Sequence, residues 1–555
     1  MNRLSILFVL ICVLLTLSSC LKDVEELSDI KGFRFNSEIA LPLFQDEVGL
    51  KELYDNFSKT GFVKIEDGQP ITMVYSGRDS ITQRQLISIP PISSDFNFTV
   101  DPIVANVFNT LGSYSQTING DEILSFPNGE QVKQVFVKSG VVEFFANTTI
   151  KHDVKLVFTY PDVRKNGVPL SDSVVLRFSG SSPVTVNKTI DLTGYILDLT
   201  DNNTTVNKLR YTMRVEILKI TGNPDMVSGE ELTFVQSTDV LQYTFMKGYL
   251  GKFTLLNMNE ILDIDLYYSS TGGDIEFNDP RVNIQLANGF GMPVTLKINR
   301  VYAVTVDDVV IDVVMNQFQD TVTLPYAQTE GDYGIGTYVL NNTNSNIKEI
   351  LNSKPKKLVL KVDFISNYNE VVSDNFMYDT SSLKAIAEVE LPLDLKISNY
   401  GVNMTGSFTF PGTEQNDTTI RFEYITLAST AYNDMPVGTS IQVYFTKVDS
   451  SFNPPQVIIL DSLFQTPLEM APAIVDANGD VISRSERQNF TDISQERYNY
   501  LIRNGTNGYS MHFEVNSSKV GTPPVQPFVK IYATQKVGLK MGMKAKASYT
   551  TKTAD

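Results

Sequence analysis

Polar and apolar residues alternate along most of this chain with a period of two. Lys155-Leu156-Val157-Phe158-Thr159-Tyr160 is one such run, and Tyr211-Thr212-Met213-Arg214-Val215-Glu216-Ile217 is another. Similar runs occupy residues 282–286, 294–298, 358–364 and 441–445. Successive side chains of a strand point to opposite faces, so this period buries one face and wets the other. β-branched and aromatic residues, which suit a pleated surface, fill many of these positions. Turn-forming clusters such as Asn278-Asp279-Pro280 and Asn288-Gly289 separate the runs. Helical spacing is rarer. It predicts short helices over residues 48–57, 345–351 and 483–501, the last as one helix or, since Asp492 sits within the run, two. Strands broken only by such small insertions do not form a βαβ series. The pattern predicts an all-β or mainly β chain of tandem antiparallel β-sandwich-like domains with a few short helices.

Three stretches, residues 141–158, 275–298 and 420–445, repeat a strand-turn-strand outline at domain-sized intervals. They suggest β domains over 34–190, 191–350 and 351–555, the last with a short helical insertion. No Pro/Ser-rich linker marks either internal boundary.

The beginning of the chain departs from this pattern. Met1-Asn2-Arg3 precedes an almost wholly apolar stretch, residues 4–17, which runs into Leu17-Ser18-Ser19-Cys20. That stretch is shorter than the roughly 20 residues of a membrane-crossing helix and has the length of a secretory core. The segment resembles a bacterial lipoprotein signal. The resemblance implies that residues 1–19 are removed, that Cys20 is the lipid attachment site, and that residues 20–33 form a tether. Lys22, Asp23, Glu25 and Glu26 follow, with Leu21 intervening after the Cys. They resemble the acidic export signal of Bacteroidota surface lipoproteins. Asp79-Ser80-Ile81, Asp172-Ser173-Val174, Asp320-Thr321-Val322, Asp417-Thr418-Thr419 and Asp461-Ser462-Leu463 resemble the O-glycosylation pattern of the same phylum. These resemblances imply a protein held in the outer membrane by its lipid anchor and facing the extracellular side. Its partner would be an outer-membrane β-barrel or a surface glycan.

Composition narrows the chemistry. The 555 residues exceed one hydrophobic core, and 46 basic against 63 acidic side chains give a net charge of −17. That balance argues against a nucleic-acid partner, since binding phosphates needs concentrated Lys and Arg. Of the two Cys, Cys12 leaves with the signal and Cys20 carries lipid. His152 and His512 are far apart in sequence, and neither lies in a His-Glu-x-x-His pattern. No Gly-x-Ser-x-Gly elbow, phosphate loop or dinucleotide fingerprint occurs. No catalytic residue and no cofactor site is nominated, although a glycosidase carboxylate pair needs no sequence word.

Two local features remain. Asp476, Asn478 and Asp480 place oxygen ligands at alternate positions, as in the first half of a calcium loop. Val481 and Arg487 then stand where the loop's Gly and closing Glu belong, so the segment reads as a plain turn or as a structural Ca²⁺ site. Tyr267 and Tyr268 precede a Ser/Thr/Gly turn, and Tyr498 and Tyr500 lie near a helix end, making them candidate binding aromatics. Trp is absent. At the C-terminus, Lys536, Lys540, Lys544 and Lys546 alternate with apolar residues, which predicts a final strand whose lysines face water and guard a sheet edge. The expected function is a non-catalytic cell-surface lipoprotein serving in binding, adhesion or as an accessory to an outer-membrane complex. The alternatives are a surface glycan-binding protein or glycoside hydrolase, and a lipid- or amphiphile-binding β protein.

Overall fold

A computed structural model describes residues 34–49, 63–82, 86–267, 270–315, 320–407, 420–449, 451–452 and 456–550. The chain is mainly β and its strand ladders are antiparallel. Among the described residues, six larger sheets stack as three sandwiches, with one small two-stranded ribbon besides.

Sandwich I joins a four-stranded sheet to an eight-stranded one and takes its strands from residues 93–249, plus one later strand. The expected alternation is seen directly in Asp153–Lys165, where Val154, Leu156, Phe158 and Tyr160 are buried and the residues between them are partly wet. Phe158 of the larger sheet stacks on Phe144 of the smaller at 4.2 Å between ring centroids, and meets Phe234 at 6.0 Å. Burying each such side chain contributes roughly 1.5–3 kcal/mol.

Sandwich II pairs two five-stranded sheets. One contains Thr72–Thr82, Ser382–Pro392 and Arg281–Asn288; the other contains Thr254–Asp263, Pro355–Ser366 and Val294–Thr305. Sandwich III faces a four-stranded sheet against a seven-stranded one. The smaller has Arg34–Gly49, Lys536–Thr550, Ile420–Asn433 and Ser485–Ser494 in that order. The larger runs from Ser270–Phe277 through Asp394–Ser407, Gly508–Ser517 and Val437–Asp449 to Gln456–Ser462. Ile493 of the smaller sheet packs on Val443, Leu463, Phe464 and Leu468, a cluster separate from the main core.

The strand ladders cross the divisions expected near residues 190 and 350. Val141–Thr148 pairs with Glu231–Thr238, and Thr254–Asp263 pairs with Pro355–Ser366. The sandwiches are nested instead. Sandwich I is inserted within II, and most of II is inserted within III, because Arg34–Gly49 pairs with Lys536–Thr550 and Thr72–Thr82 with Ser382–Pro392. Periodicity reports that a segment is a strand, but not which distant segment completes its hydrogen bonds. Sandwich II contacts both of the others. Asn375–Tyr378 from its chain joins the edge of sandwich I beside Gln242–Tyr249, with Phe376 and Tyr378 against Phe245. On the other side, the Ile71 amide donates to the Ile531 carbonyl at 2.9 Å and the Leu393 amide to the Ile71 carbonyl at 2.7 Å.

The helices differ from expectation in instructive ways. Helix α1, Pro102–Leu111, was not expected. Asp101 Oδ1 accepts the Val104 amide at 2.7 Å, Pro102 opens the first turn, and Gly112 closes the helix at φ 71°. Helix α2, Ile347–Leu351, lies within the expected 345–351. Of the expected helix 483–501, Ser485–Ser494 is an edge strand, and only Gln495–Arg503, helix α3, is mostly within it. Its exposed charges suit a strand face in water as well as a helix, and the Ser494 side chain caps α3 through the Arg497 amide. In the expected helix 48–57, Val48 and Gly49 belong to the first strand, and the rest lies outside the described residues.

The lysine-bearing strand is also placed differently. Lys536–Thr550 is an inner strand, flanked by Arg34–Gly49 and Ile420–Asn433. Two of its lysines form cross-strand pairs on this inner strand: Lys544 with Glu38 at 2.5 Å and Lys546 with Glu423 at 2.6 Å.

Candidate interaction surfaces

Cys20, Lys22, Asp23, Glu25, Glu26 and Tyr268 lie outside the described residues. Asp476, Asn478 and Asp480 form the tip of the ribbon between Ile474–Val475 and Val481–Ser483. Asp476 Oδ1 accepts the amides of Asn478 at 2.9 Å and Asp480 at 3.0 Å. Gly479 has φ 80°, and a Cβ there would meet the Phe528 carbonyl oxygen. The Asp480 carboxylate pairs with the Lys530 ammonium at 3.3 Å. One carboxylate oxygen is thus turned onto the loop's own amides, and an ammonium already stands beside the other carboxylate. Among the described residues, no group of three His, Cys, Asp or Glu side chains converges to hold a metal ion.

Tyr267 is buried, a correction to the exposed aromatic expected from the neighbouring turn. It meets Tyr400 edge-on at 6.5 Å between ring centroids, and burial raises its phenol pKa. The packing partner is far away in sequence, so the nearby Gly-rich turn gave a false signal of exposure. Tyr498 is half-buried and Tyr500 is exposed on α3. Tyr267, Tyr498 and Tyr500 therefore do not form one surface.

The carboxylates and histidines are distributed over the fold. His512 Nδ1 lies 2.7 Å from Asn403 Oδ1 on a neighbouring strand of sandwich III. His152 is wholly buried in sandwich I, where its Nδ1 accepts the Ile220 amide at 3.3 Å and its ring packs on Phe108. Burial lowers its pKa. Glu230 is also buried in sandwich I, with the Lys151 ammonium 3.9 Å away, and burial raises its pKa. In sandwich II, Glu260 folds over Gly77, where any Cβ would collide with its carboxylate. Burial, then the charge of Asp79, raises the Glu260 pKa.

Two hollows bear on the alternatives. One, of about 290 Å³, is lined by Ile298, Arg300, Val301, Asp312, Val313 and Leu340. Its guanidinium and carboxylate satisfy each other, through Arg300 Nε to Asp312 Oδ1 at 2.6 Å and a second bond at 3.1 Å. The other, of about 30 Å³, lies among Leu170, Leu192, Leu197 and Leu209 in sandwich I. That space is about the share of one water in the liquid and far below an acyl chain.

Exposed apolar side chains mark a surface that the periodicity did not reveal. Helix α1 turns Val104, Ala105 and Phe108 inward. Ile103, Val107 and Leu111 follow one another at intervals of four on a second face, as successive turns of a helix require. Ile103 is 74% exposed and Leu111 71%. Leu218, at the end of the adjoining Lys208–Leu218, is exposed beside Gly112, whose carbonyl accepts the Lys219 amide. The helix leads into Ser113–Ile123, which edges the eight-stranded sheet opposite the strand lent by sandwich II. The sequence did hold a signal, Asp101-Pro102 followed by Gly112, which are the start and stop residues of a helix.

No protein-family model matches the chain, and no curated protein matches it. Several solved structures are similar in part. A putative secreted protein from Parabacteroides distasonis has 9% identity over 64% of this chain and 99% of its own, with a TM-score of 0.17. The PBSX exported protein XepA has 10% identity over 54% of this chain and 86% of its own, with a TM-score of 0.13. An archaeal virus protein with a triple jelly-roll fold has 8% identity over 82% of this chain and 96% of its own, with a TM-score of 0.12. Those scores are too low to transfer anything from these proteins, and the fold rests on the ladders described above. Among the described residues, no helix is long and apolar enough to cross a membrane.

Asp476→Ala removes an acceptor for two amides and should cost about 1–2 kcal/mol. With a turn role, urea unfolding should show the same loss in calcium and in chelator; a loss seen only with calcium would assign the loop to a cation. Glu230 gives a pH signature. Its folded pKa lies above the unfolded value, so the stability it contributes is complete below the unfolded pKa and is lost as pH rises through the folded one. Glu230→Gln should therefore flatten that decline as pH rises above the usual carboxylate range, measured as urea midpoints across pH.

Proposed function

We propose that this chain is a non-catalytic lipoprotein of the outer-membrane surface that binds a protein partner, as an accessory subunit or an adhesin. The observation that carries the reading is the second apolar face of α1, with Ile103 and Leu111 in water at the edge of sandwich I remote from II. Exposed apolar side chains that adjoin one another mark an interaction surface, whereas scattered single ones do not. Leu17-Ser18-Ser19-Cys20 and the acidic stretch after it support the anchor and the outward orientation. The partner suggested by that setting is an outer-membrane β-barrel. Binding at α1 would lay its outer stripe in an apolar groove, with anchors one turn apart.

Affinity isolation from gently solubilised outer membranes tests the reading. The wild type should bring down a barrel protein reproducibly, and Ile103→Ser with Leu111→Ser should reduce that recovery roughly tenfold or more. Both side chains face solvent, so the double variant should keep the wild-type unfolding midpoint. Equal recovery, or glycan turnover by the isolated protein, would overturn the proposal. Independently, Cys20→Ala should move the protein from the membrane to the soluble fraction; retention at the membrane would rule out lipid at Cys20 as the anchor.

A further inference from the structure

The outermost strand of the seven-stranded sheet opens with an exposed apolar run. Gln456–Ser462 pairs along one side with Val437–Asp449. Its opening run, Gln456-Val457-Ile458-Ile459-Leu460, carries no charge. Val457 is 53% exposed, Ile459 60%, and Ile458 is exposed on the other face, with Phe452 in the preceding turn 54% exposed. Edge strands usually carry charges or other devices that discourage contact. Ser485–Ser494, for example, has Glu486, Arg487 and Asp492, and Ser113–Ile123 is mostly polar.

The position of this apolar group follows from strand register. Arg34 pairs with Thr550, and Ile420 with Tyr549, so all four mark one end of the four-stranded sheet. Asp434, Met435 and Pro436 turn the chain at the opposite end, from Ile420–Asn433 into Val437–Asp449. The latter strand therefore returns toward Arg34, and Asp449 faces Gln456 there. Helix α3 crosses between the sheets on the same side, from Ser494 to Gly508. The apolar edge and the start of the first strand thus share one end of sandwich III.

Residues 20–33 precede that start. Fully extended they reach about 50 Å, and as a relaxed coil about 20 Å. We propose that Phe452, Val457, Ile458 and Ile459 dock into the lipid surface beside the anchor; this inference rests on the anchored reading of Cys20. The anchor holds the edge close to the bilayer, so a modest intrinsic affinity suffices. Lys447 and Arg503 are exposed at this end of a chain whose net charge is −17. They suit anionic headgroups. A second copy on the same edge would instead bring two acidic bodies together.

The chain has no Trp, and Cys20 is the one cysteine of residues 20–555, so both can be exploited. The mature chain would be coupled through Cys20 to a maleimide lipid in phosphatidylethanolamine/phosphatidylglycerol vesicles. In Ile459→Trp, emission should shift to shorter wavelength, and brominated acyl chains should cut it to roughly half. Ile103→Trp, on α1, should show neither effect. Unchanged emission from Ile459→Trp, or equal quenching at both positions, overturns the proposal. A shift without vesicles that grows with protein concentration also overturns it and assigns the edge to a second copy. Chemical coupling replaces the native lipid, so failure here is distinguishable from failure of the anchor, which is read by fractionating Cys20→Ala.

Discussion

The first strand, Arg34–Gly49, borders the four-stranded sheet of sandwich III and pairs with the last, Lys536–Thr550. That ladder joins the two ends of the described chain, and everything between them lies inside the loop it closes. Loop closure costs little more for a long loop than for a moderate one, since the entropy rises only with the logarithm of length. The ladder therefore depends on its register being specific. Glu38 supplies some of that specificity, with Lys544 at 2.5 Å and the Tyr424 hydroxyl at 2.7 Å. Lys544 and Tyr424 hold its carboxyl below the usual range, so the charged form is favoured where the three strands meet. Because these groups are exposed, salt screens the attraction, and much of the ladder's strength must come from its backbone hydrogen bonds.

Nesting distributes the folding problem unevenly. Sandwich I draws nearly all its strands from residues 93–249 and has the densest aromatic packing, with Phe144, Phe158 and Phe234 in mutual contact. Sandwich II has to bring Thr72–Thr82 to Ser382–Pro392, and sandwich III has to wait for the C-terminal strand. Local contacts form faster than distant ones, so the order I, II, III follows from topology. The small apolar cluster of Val443, Leu463, Phe464 and Leu468 in sandwich III fits a unit that depends on its long ladders as much as on its core.

The same distinction between local and distant interactions explains what could be read in the sequence. Strand character is local: a period of two in residues 155–160 is sufficient to show that Phe158 faces inward. Pairing is distant, which is why Val141–Thr148 and Glu231–Thr238 straddle a boundary drawn near residue 190. The lysine strand combines both cases, its alternation being legible and its inner position not. Helix α1 is hidden in the periodicity because its apolar residues occupy two faces, which blurs the single stripe expected of a surface helix, while its capping residues are plain. The buried Tyr267 shows that a Gly-rich neighbour says little about exposure when the packing partner is Tyr400.

Nesting also bears on how a tethered protein can have a direction. Arg34–Gly49 belongs to sandwich III, II contacts III and I, and α1 lies on the edge of I opposite the strand contributed by II. Attachment at a single point restricts distance from a surface but not orientation. If Cys20 carries a lipid as proposed, a second weak contact through the apolar edge of sandwich III would restrict orientation too, because two attachments limit rotation where one does not. With the body so oriented, the outer stripe of α1 would be presented by successive packed interfaces. Its search for a partner then loses less rotational freedom on binding, so a stripe of only a few side chains can support a useful affinity. Under the proposed reading, small apolar groups at two remote positions would serve attachment and partner binding with less risk of aggregation than one large patch.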